Sequence, residues 1–322
     1  MTSAIEVSDL TKTYSSFGGR KIEALRGVSF RVEPGEMFGL LGPNGAGKTT
    51  SVKILLGLTR ATAGSASLLG MSVHDPESRR RVGYLPEGHR IPNYLTARQA
   101  LSIFGRMSGL DSSQLAKRIP TLIERVRLSQ WLDMKVKKFS KGMTQRLGLA
   151  CAMIHSPDVL LLDEPTDGVD PVGRREIRDL LREEADRGTA VLLNSHLLSE
   201  IETTCDKVAV LRGGKVAAAG RIDELTATGS QYRMMVAGVN DSLVTNLEMT
   251  GATVDRQNGH LLLTVRDVDQ LNELIDRTRA GGHAISEIAG VRSSLEDIFV
   301  DLIKTGDSEQ SSPGSLPGGV QP

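Results

Sequence analysis

The sequence predicts an α/β fold built on a largely parallel sheet, with an inserted helical subdomain and a small α+β domain after it. Short apolar runs of strand length alternate with longer helical patterns up to about residue 220. Helical periodicity dominates residues 90–155, and shorter strand and helix patterns follow residue 220. We therefore expect an α/β domain at 1–220 that contains this helical subdomain, and an α+β accessory domain at 221–304. Residues 305–322 are mostly Ser, Gly, Pro and Gln, which predicts a disordered tail.

Three apolar runs supply the expected core strands of the first domain. They are Met37–Leu41, Val159–Leu162 and Ala190–Leu193, and continuous apolar runs of this length are typical of strands that are buried on both faces. We expect a helix from Lys48 to Leu58 directly after the first strand, ended near Gly57. The long helical stretch between the first and second strands is the expected subdomain.

The accessory domain is predicted from four segments. Tyr232–Val236 and His260–Val265 have strand composition. Asp267–Arg279 and Ser293–Lys304 place leucine and isoleucine at helical spacing. Two strands and two helices over so short a stretch indicate a small α+β unit.

Composition and charge exclude several classes of function. The chain balances 39 basic against 39 acidic residues, so no overall field favours a nucleic acid, and none is expected as a partner. Aromatic residues make up 3%, too few for a base-stacking surface. No secretory signal is visible at the N-terminus, and no apolar run approaches the roughly 20 residues of a membrane-spanning helix. If the protein serves a membrane, we expect it to act from the water side through a partner.

A glycine-rich segment follows the first strand and opens the first helix. It fits the pattern G-x-x-x-x-G-K-[ST], in which glycines let backbone N–H groups point at phosphate oxygens and the helix N-terminus adds positive charge. Lys48 can reach the β- and γ-phosphates, the Thr49 hydroxyl can bind Mg²⁺, and Thr50 can approach the α-phosphate. The alternative is a structural strand-to-helix turn, which the Lys-Thr pair in this context disfavours. The predicted phosphate loop is Gly42, Pro43, Asn44, Gly45, Ala46, Gly47, Lys48, Thr49 and Thr50.

Two acidic residues end the second strand. Asp163 can hold Mg²⁺, directly or through water, while Glu164 faces the γ-phosphate as a general base. An acidic loop after a core strand is the alternative, and the phosphate loop in the same chain argues against it.

Two further segments carry a family resemblance. Phe139–Arg146 precedes Leu160–Thr166 by about twenty residues, and this order resembles the signature motif and the Walker B segment of ABC-type ATPases. The resemblance covers roughly residues 4–220. It implies a P-loop NTPase fold with an ABC-type nucleotide-binding domain, and it implies ATP and Mg²⁺ as cofactors.

The resemblance also implies roles for single residues. Tyr14 resembles the aromatic residue that stacks on adenine, and His196 resembles the switch histidine that contacts the γ-phosphate. Asp167–Asp170 resembles the loop that couples two subunits. Ser140 and Gly142 stand at a helix start that, in the family, faces the ATP bound by the other subunit.

Each of these roles has an ordinary alternative. Tyr14 could be a half-buried strand aromatic. His196 could cap the helix that follows it, and Ser140 could serve only as an N-cap.

Two positions depart from the family pattern. Lys141 stands where the family usually has glycine, and either points to solvent or adds a charge near the phosphates. Glu87 replaces the expected glutamine; it can still bind Mg²⁺ and orient water, but it adds negative charge beside ATP. With the appended C-terminal domain, these variants resemble a bacterial exporter-type subgroup associated with drug or antibiotic resistance.

The resemblance implies a subunit that hydrolyses ATP to power a separate integral membrane permease, with export as the expected direction. Two copies would close head to tail around two Mg-ATP molecules, with Glu164 activating water. The expected location is cytoplasmic and peripheral, on the inner face of the cell membrane through the permease, which would dock on the segment after Glu87.

A soluble ABC-type ATPase that acts on ribosomes or DNA is the alternative from another class. Translation factors of that kind usually carry two cassettes, and the roughly 90 residues between Lys48 and Ser140 leave no room for the coiled coil of DNA-repair relatives. A regulatory nucleotide sensor without turnover is a third possibility, which Glu164 disfavours.

Overall fold

A computed structural model describes most of the chain, which divides into two compact units with the boundary between Ile222 and Asp223. The described residues are 2–15, 21–226, 231–257, 260–291 and 294–299.

The first unit alternates strands and helices along most of its length. Short 3₁₀ turns add to these at Pro76–Arg79, Ser129–Trp131 and Val136–Lys138. In chain order the described elements are β1 (Ile5–Ser15), β2 (Lys21–Val32), β3 (Met37–Leu41), α1 (Lys48–Leu55), β4 (Ala63–Leu68), β5 (Met71–Ser72), β6 (Val82–Leu85), α2 (Ala97–Met107), α3 (Ser112–Arg125), α4 (Lys141–Met153), β7 (Val159–Asp163), α5 (Pro171–Asp186), β8 (Ala190–Asn194), α6 (Leu198–Thr204), β9 (Lys207–Arg212) and β10 (Lys215–Arg221).

The central sheet has the strand order β10-β9-β3-β8-β7-β6. Every neighbouring pair from β9 to β6 is parallel, and only the β10–β9 hairpin is antiparallel. Leu40, Leu161 and Leu192 are fully buried, as expected for strands covered on both faces. The predicted parallel sheet is confirmed, and its carboxyl-terminal edge brings the ends of β3, β7 and β8 together.

A second sheet, antiparallel with the order β2-β1-β4-β5, shares one core with the central sheet. The rings of Phe30 in β2 and Phe38 in β3 stack with their centroids 5.4 Å apart. Val28 and Leu68 are fully buried in the same cluster. This packing holds β2 beside the start of α1.

Helix α1 is shorter than the sequence predicted, because it ends at Leu55 and not at Leu58. Gly57 adopts a φ of 68°, which breaks helical continuity. Its N–H donates to Ile54 O at 2.9 Å and the N–H of Leu58 donates to Lys53 O at 2.9 Å, a Schellman cap. The glycine therefore ends the helix as expected, but the residues after Leu55 belong to the cap and not to the helix.

Three helices fill the chain between β6 and β7. Helices α2 and α3 both begin with capping boxes, Thr96 with Gln99 and Asp111 with Gln114. Helix α2 contacts both α3 and α4. Ser140 caps α4, so the start of this helix is fixed by the side chain of its own N-cap residue.

The second unit combines a four-stranded sheet with helices. Its strands have the order β12-β13-β11-β14, with antiparallel pairing throughout. Met234, Leu247, Leu261 and Leu274 are fully buried in a core of its own. The elements from the boundary onward are α7 (Ile222–Leu225), β11 (Gln231–Val236), α8 (Asp241–Glu248), β12 (Thr253–Gln257), β13 (His260–Thr264), α9 (Val268–Ala280) and β14 (Ile285–Gly290).

Some expectations for the C-terminal end fall outside the described residues. Residues 295–299 are helical, within the helix expected at Ser293–Lys304, but Ser293 and the part after 299 are not described. The predicted tail at 305–322 is not described either. None of the helices in the described ranges combines the length and apolar character that crossing a membrane requires.

Candidate functional site

The Gly42–Thr50 loop joins β3 to α1, and two of its glycines pack against neighbouring elements. Gly42 has a φ of 149°, and a Cβ atom there would lie 2.3 Å from the carbonyl oxygen of Leu211. Gly47 has a φ of 111°, and a Cβ atom there would lie 2.6 Å from Leu25 Cδ2. A side chain fits at neither position, so the tight curl of the loop depends on glycine.

The outer part of the same loop faces open space. Pro43, Asn44 and Gly45 are exposed, and a Cβ atom at Gly45 would meet nothing within 4 Å. Thr49 is exposed at the start of α1, and Thr50 is half-buried. The curl is therefore anchored from inside and accessible from outside, as a phosphate-binding loop requires.

Lys48 lies inside the loop and is 8% exposed. Its Nζ donates a hydrogen bond to Gly42 O at 2.5 Å. Burial lowers the pKa of Lys48, and the nearby carboxylates of Glu164, Asp163 and Glu87 oppose that shift. The structure thus brings the predicted loop lysine and the predicted acids into one electrostatic group.

Asp163 ends β7 and is 4% exposed. The Nδ2 of Asn194, at the end of the neighbouring β8, donates to Asp163 Oδ1 at 2.5 Å. Burial raises the pKa of Asp163 to about 6, and the negative charges of Glu87 and Glu164 contribute to that rise. A cation beside Asp163 would relieve this cost.

The donors around Asp163 fit Mg²⁺ in type. The exposed hydroxyl of Thr49 and the carboxylates of Asp163 and Glu87 are hard oxygen ligands. No group of three acidic, histidine or cysteine side chains able to hold a metal by itself occurs among the described residues. Magnesium usually keeps waters and binds substrate phosphates in addition to one or two protein ligands, so this partial set is the kind it uses.

Glu164 is held in place by its neighbours at the end of β8. Its φ of 50° is left-handed, a conformation that costs a non-glycine residue about 1–3 kcal/mol. Its Oε1 accepts the backbone N–H of His196 at 2.9 Å and lies 2.7 Å from His196 Nδ1. The Ser195 hydroxyl donates to Oε2 at 3.3 Å. The predicted base and the predicted switch histidine are therefore in direct contact.

The alternative role of His196 as a helix cap does not match the structure. Helix α6 starts at Leu198, Leu197 occupies the N-cap position, and no side chain caps that end. The His196 side chain is 62% exposed and points to Glu164, whose side chain is only 12% exposed.

Ser140 and Gly142 lie at the start of α4. The hydroxyl of Ser140 accepts the N–H of Met143 at 3.2 Å, which confirms the N-cap. A Cβ atom at Gly142 would be 3.9 Å from Val169, an ordinary contact. Within the described chain, no hydrogen bond joins either residue to the Gly42–Thr50 loop.

Lys141 turns toward the loop that follows β7. Its Nζ lies 2.8 Å from Asp167 Oδ2, and this ion pair lowers the pKa of Asp167. The aliphatic part of Lys141 crosses Gly168, where a Cβ atom would lie 2.1 Å from Lys141 Cδ. The sequence left open whether Lys141 points to solvent or adds a charge near the phosphates. The structure shows neither of these alone, because the Lys141 charge is paired with Asp167 of the same chain.

Tyr14 lies near the end of β1. Its ring is exposed, and Lys12 Nζ lies 4.8 Å from the ring centroid.

Sequence reasoning missed several residues that hold the site together. Gln145 Nε2 donates to the carbonyl oxygen of Glu164 at 3.0 Å, which ties the signature helix to the end of β7. Asn194 and Ser195 follow the apolar run of β8. Their polar side chains at the carboxyl end of a parallel strand could have identified them as site residues. The imidazole of His89 has no such signal, although its Nε2 lies 3.1 Å from Thr144 O on α4.

Comparison with known proteins identifies the family of the chain. The family model described as "ABC transporter" matches residues 25–167. The chain is 37% identical to a daunorubicin resistance ATP-binding protein of Streptomyces coeruleorubidus, over 95% of this chain and 97% of the relative. It is 35% identical to the Nod factor export ATP-binding protein I of Ralstonia nicotianae, over 94% of each. It is 34% identical to an uncharacterized ABC transporter ATP-binding protein of Synechocystis, over 93% of this chain and 84% of the relative.

Solved structures show the same fold. An ATP binding subunit of an ABC transporter matches with a TM-score of 0.63 and 32% identity, covering 69% of this chain and 92% of that one. A dimeric ATP-binding cassette bound to ADP and Pi matches with a TM-score of 0.62 and 23% identity, covering 68% and 98%. The chain belongs to the ATP-binding proteins of ABC transporters and is an ATPase of that family.

Proposed function

We propose that this ATPase powers export through a separate integral membrane permease. The observation that carries the hydrolytic part is the placement of Glu164, whose carboxylate contacts His196 and belongs to the same charged group as Lys48. Export is supported by relatives whose names denote Nod factor export and daunorubicin resistance, both aligned over nearly their whole length.

ATP would bind along the Gly42–Thr50 loop. Its backbone N–H groups and the start of α1 supply donors and positive charge for the phosphates. Lys48 Nζ now donates to Gly42 O, and it would turn from this carbonyl to the β- and γ-phosphates. The exposed ring of Tyr14 would stack on the adenine.

Mg²⁺ would be held by Thr49, Asp163 and Glu87 together with the phosphates. When bound, it supplies positive charge that offsets the negative charge of the phosphates and of the buried Asp163. Asn194 keeps the Asp163 carboxylate oriented through its hydrogen bond to Oδ1.

Glu164 would act as the general base. A water oxygen attacks the γ-phosphorus, the bond to the β–γ bridging oxygen breaks, and the Glu164 carboxylate takes the proton of that water. His196 and Ser195 hold both carboxylate oxygens before the reaction, so little reorganisation is needed.

A complete site would need two chains. Ser140 and Gly142 make no hydrogen bond with the phosphate loop of their own chain within the described residues, which supports a head-to-tail pair in which they face the partner's ATP. The chain would then sit on the inner face of the membrane through its permease, with no role for a nucleic acid. A soluble ribosome- or DNA-associated ATPase is not favoured, because the relatives are transport proteins.

The test replaces Glu164 with Gln, which keeps its shape and removes its basicity. Glu164→Gln should bind ATP with wild-type affinity, lose at least about 100-fold in turnover, and accumulate ATP-bound dimers in size-exclusion chromatography. Glu124→Gln, an exposed glutamate on α3, is the matched control and should behave as wild type. Normal turnover by Glu164→Gln would assign the base to another group.

Export is tested separately, with the permease present. Inside-out vesicles that contain the chain and the membrane protein encoded beside it should accumulate an amphipathic drug with ATP, and vesicles carrying Glu164→Gln should not. Accumulation only in right-side-out vesicles would indicate import.

A further inference from the structure

A cavity of about 400 Å³ lies between α5 and α6, outside the phosphate loop. Its floor is apolar and consists of Ile177 and Leu181 from α5, Leu193 from β8 and Ile201 from α6. This volume lies in the range of small-molecule sites, which typically combine an apolar lining with a few polar groups.

The mouth of the cavity carries excess positive charge. Arg174, Arg175 and Arg178 all line it from α5. Arg174 pairs with Glu200 at 3.2 Å, whereas Arg178 reaches only the hydroxyl of Thr203 at 3.3 Å. Neither Arg175 nor Arg178 has a carboxylate partner in the part of the chain that the structure describes. Two guanidinium groups beside an apolar floor favour an anionic group attached to an apolar body.

We propose that this cavity binds an amphipathic monoanion, with its hydrocarbon body on the apolar floor and its carboxylate or phosphate on Arg175 and Arg178. A neutral hydrocarbon would leave the guanidinium groups without a counterion. An inorganic anion would leave the floor without a partner.

The cavity is connected to the catalytic carboxylate by hydrogen bonds. Thr166, two residues after Glu164, donates to Glu200 at 2.5 Å, and Glu200 also pairs with Arg174. Ser195 lines the cavity and donates to Glu164 at 3.3 Å. An anion on Arg175 and Arg178 would also attract the neighbouring Arg174, weaken its pair with Glu200 and so loosen the contact of Glu200 with Thr166. Occupancy should therefore lower kcat; this effect rests on the proposed role of Glu164, whereas binding itself does not.

Octanoate is the probe, titrated into the full chain by isothermal calorimetry. We expect saturable binding of one octanoate per chain, with octanol and octylammonium at least tenfold weaker. The double variant R175Q/R178Q should weaken octanoate binding at least tenfold, and Ser199→Phe, which places a ring at the exposed mouth, should abolish it. Arg60→Gln removes an exposed arginine elsewhere and should bind octanoate as wild type does.

Several outcomes would overturn the proposal. They are absence of saturable octanoate binding, equal affinity for octanol, and unchanged affinity in R175Q/R178Q. Binding should persist in Lys48→Ala, and its loss there would place the octanoate in the phosphate loop. Octanoate should reduce kcat in wild type but not in R175Q/R178Q. Binding without an effect on kcat would remove the coupling to Glu164 and leave the binding site intact.

Discussion

The Nδ1 atom of His196 lies 2.7 Å from Oε1 of Glu164, and the backbone N–H of His196 donates to the same oxygen at 2.9 Å. The proposed base is therefore held by a residue whose own side chain remains 62% exposed.

His196→Ala should lower kcat while leaving the KM for ATP within about threefold, because the imidazole positions Glu164 and contributes little to the affinity for ATP. Misplacing a catalytic group by about 1 Å costs on the order of 100-fold in rate, and a loss of that size is expected. Steady-state ATPase assays measure it. His74→Ala, which removes an exposed histidine before the β6 strand, is the control. A large rise in KM with kcat unchanged would instead make His196 a binding residue.

Asp163→Asn should stabilise the nucleotide-free protein at neutral pH. Burial raises the folded-state pKa of Asp163 to about 6 from 3.8, so the folded chain binds this proton more tightly than the unfolded chain. Stability then falls as pH rises from about 4 to 6, and the charged carboxylate costs up to about 3 kcal/mol above that range. Thermal melting in EDTA at pH 7.5 and pH 4 measures it: the variant should gain in Tm at pH 7.5 and lose the gain at pH 4. An equal effect at both pH values would contradict this origin.

Gly148→Ala should damage both stability and turnover, through His89. A Cβ atom at Gly148 would lie 2.4 Å from His89 Nε2, so the imidazole would leave Thr144 O and disturb the segment that carries Glu87. Overpacking of this kind costs about 1–3 kcal/mol. The double variant H89A/G148A removes the clash and should recover most of the loss in Tm. Additive losses in the double variant would mean that Gly148 matters for another reason.

Lys141→Met should change turnover only slightly, and through Asp167. Both side chains of the pair are more than half exposed, and such pairs contribute about 0.2–1 kcal/mol, which corresponds to a change of at most about fivefold. Asp167→Asn should have the same effect, and the double variant should add nothing. Lys138→Met, an exposed lysine before the α4 helix, is the control. A loss well beyond tenfold for Lys141→Met alone would indicate direct contact with ATP.

Mixing two inactive variants tests the two-chain site. Ser140→Arg and Lys48→Ala should each be inactive, whereas a mixed dimer has one intact phosphate loop opposite one intact signature helix. If sites fire independently, random pairing recovers up to about a quarter of wild-type activity.

If both sites must hydrolyse ATP together, the mixed dimer stays inactive, and a second measurement is needed. A cysteine beside Ser140 should crosslink to one beside Gly45 of the other chain when ATP is present. Crosslinks found only within single chains would rule out the head-to-tail pair.

Much of the fold and the phosphate loop could be predicted because their determinants are local. Met37–Leu41 was predicted with its observed bounds, since an apolar run before glycine is a sufficient signal. The cap on Ser140 was visible for the same reason. The end of α1 was misplaced by three residues. Gly57 signals that the helix ends nearby, but the hydrogen bonds of the cap decide which residue is the last helical one.

The remaining features depend on residues that are distant in sequence. The contact between His89 and Gly148 requires knowing that the segment after β6 crosses α4. The partner of Lys141 lies 26 residues further on, so the sequence left its orientation open. Elements of low apolar content, such as β12 at Thr253–Gln257, carry no strong periodic pattern and were missed.

The two separate hydrophobic cores bear on how the stability of this chain is measured. The core around Val28, Leu40 and Leu68 and the core around Leu247 and Leu261 share no residue. Units with independent cores can melt independently, and a single transition temperature is then not a property of the whole chain. A differential scanning calorimetry trace should be fitted with two transitions, and only the one that shifts upward with added nucleotide reports on the unit that holds Lys48.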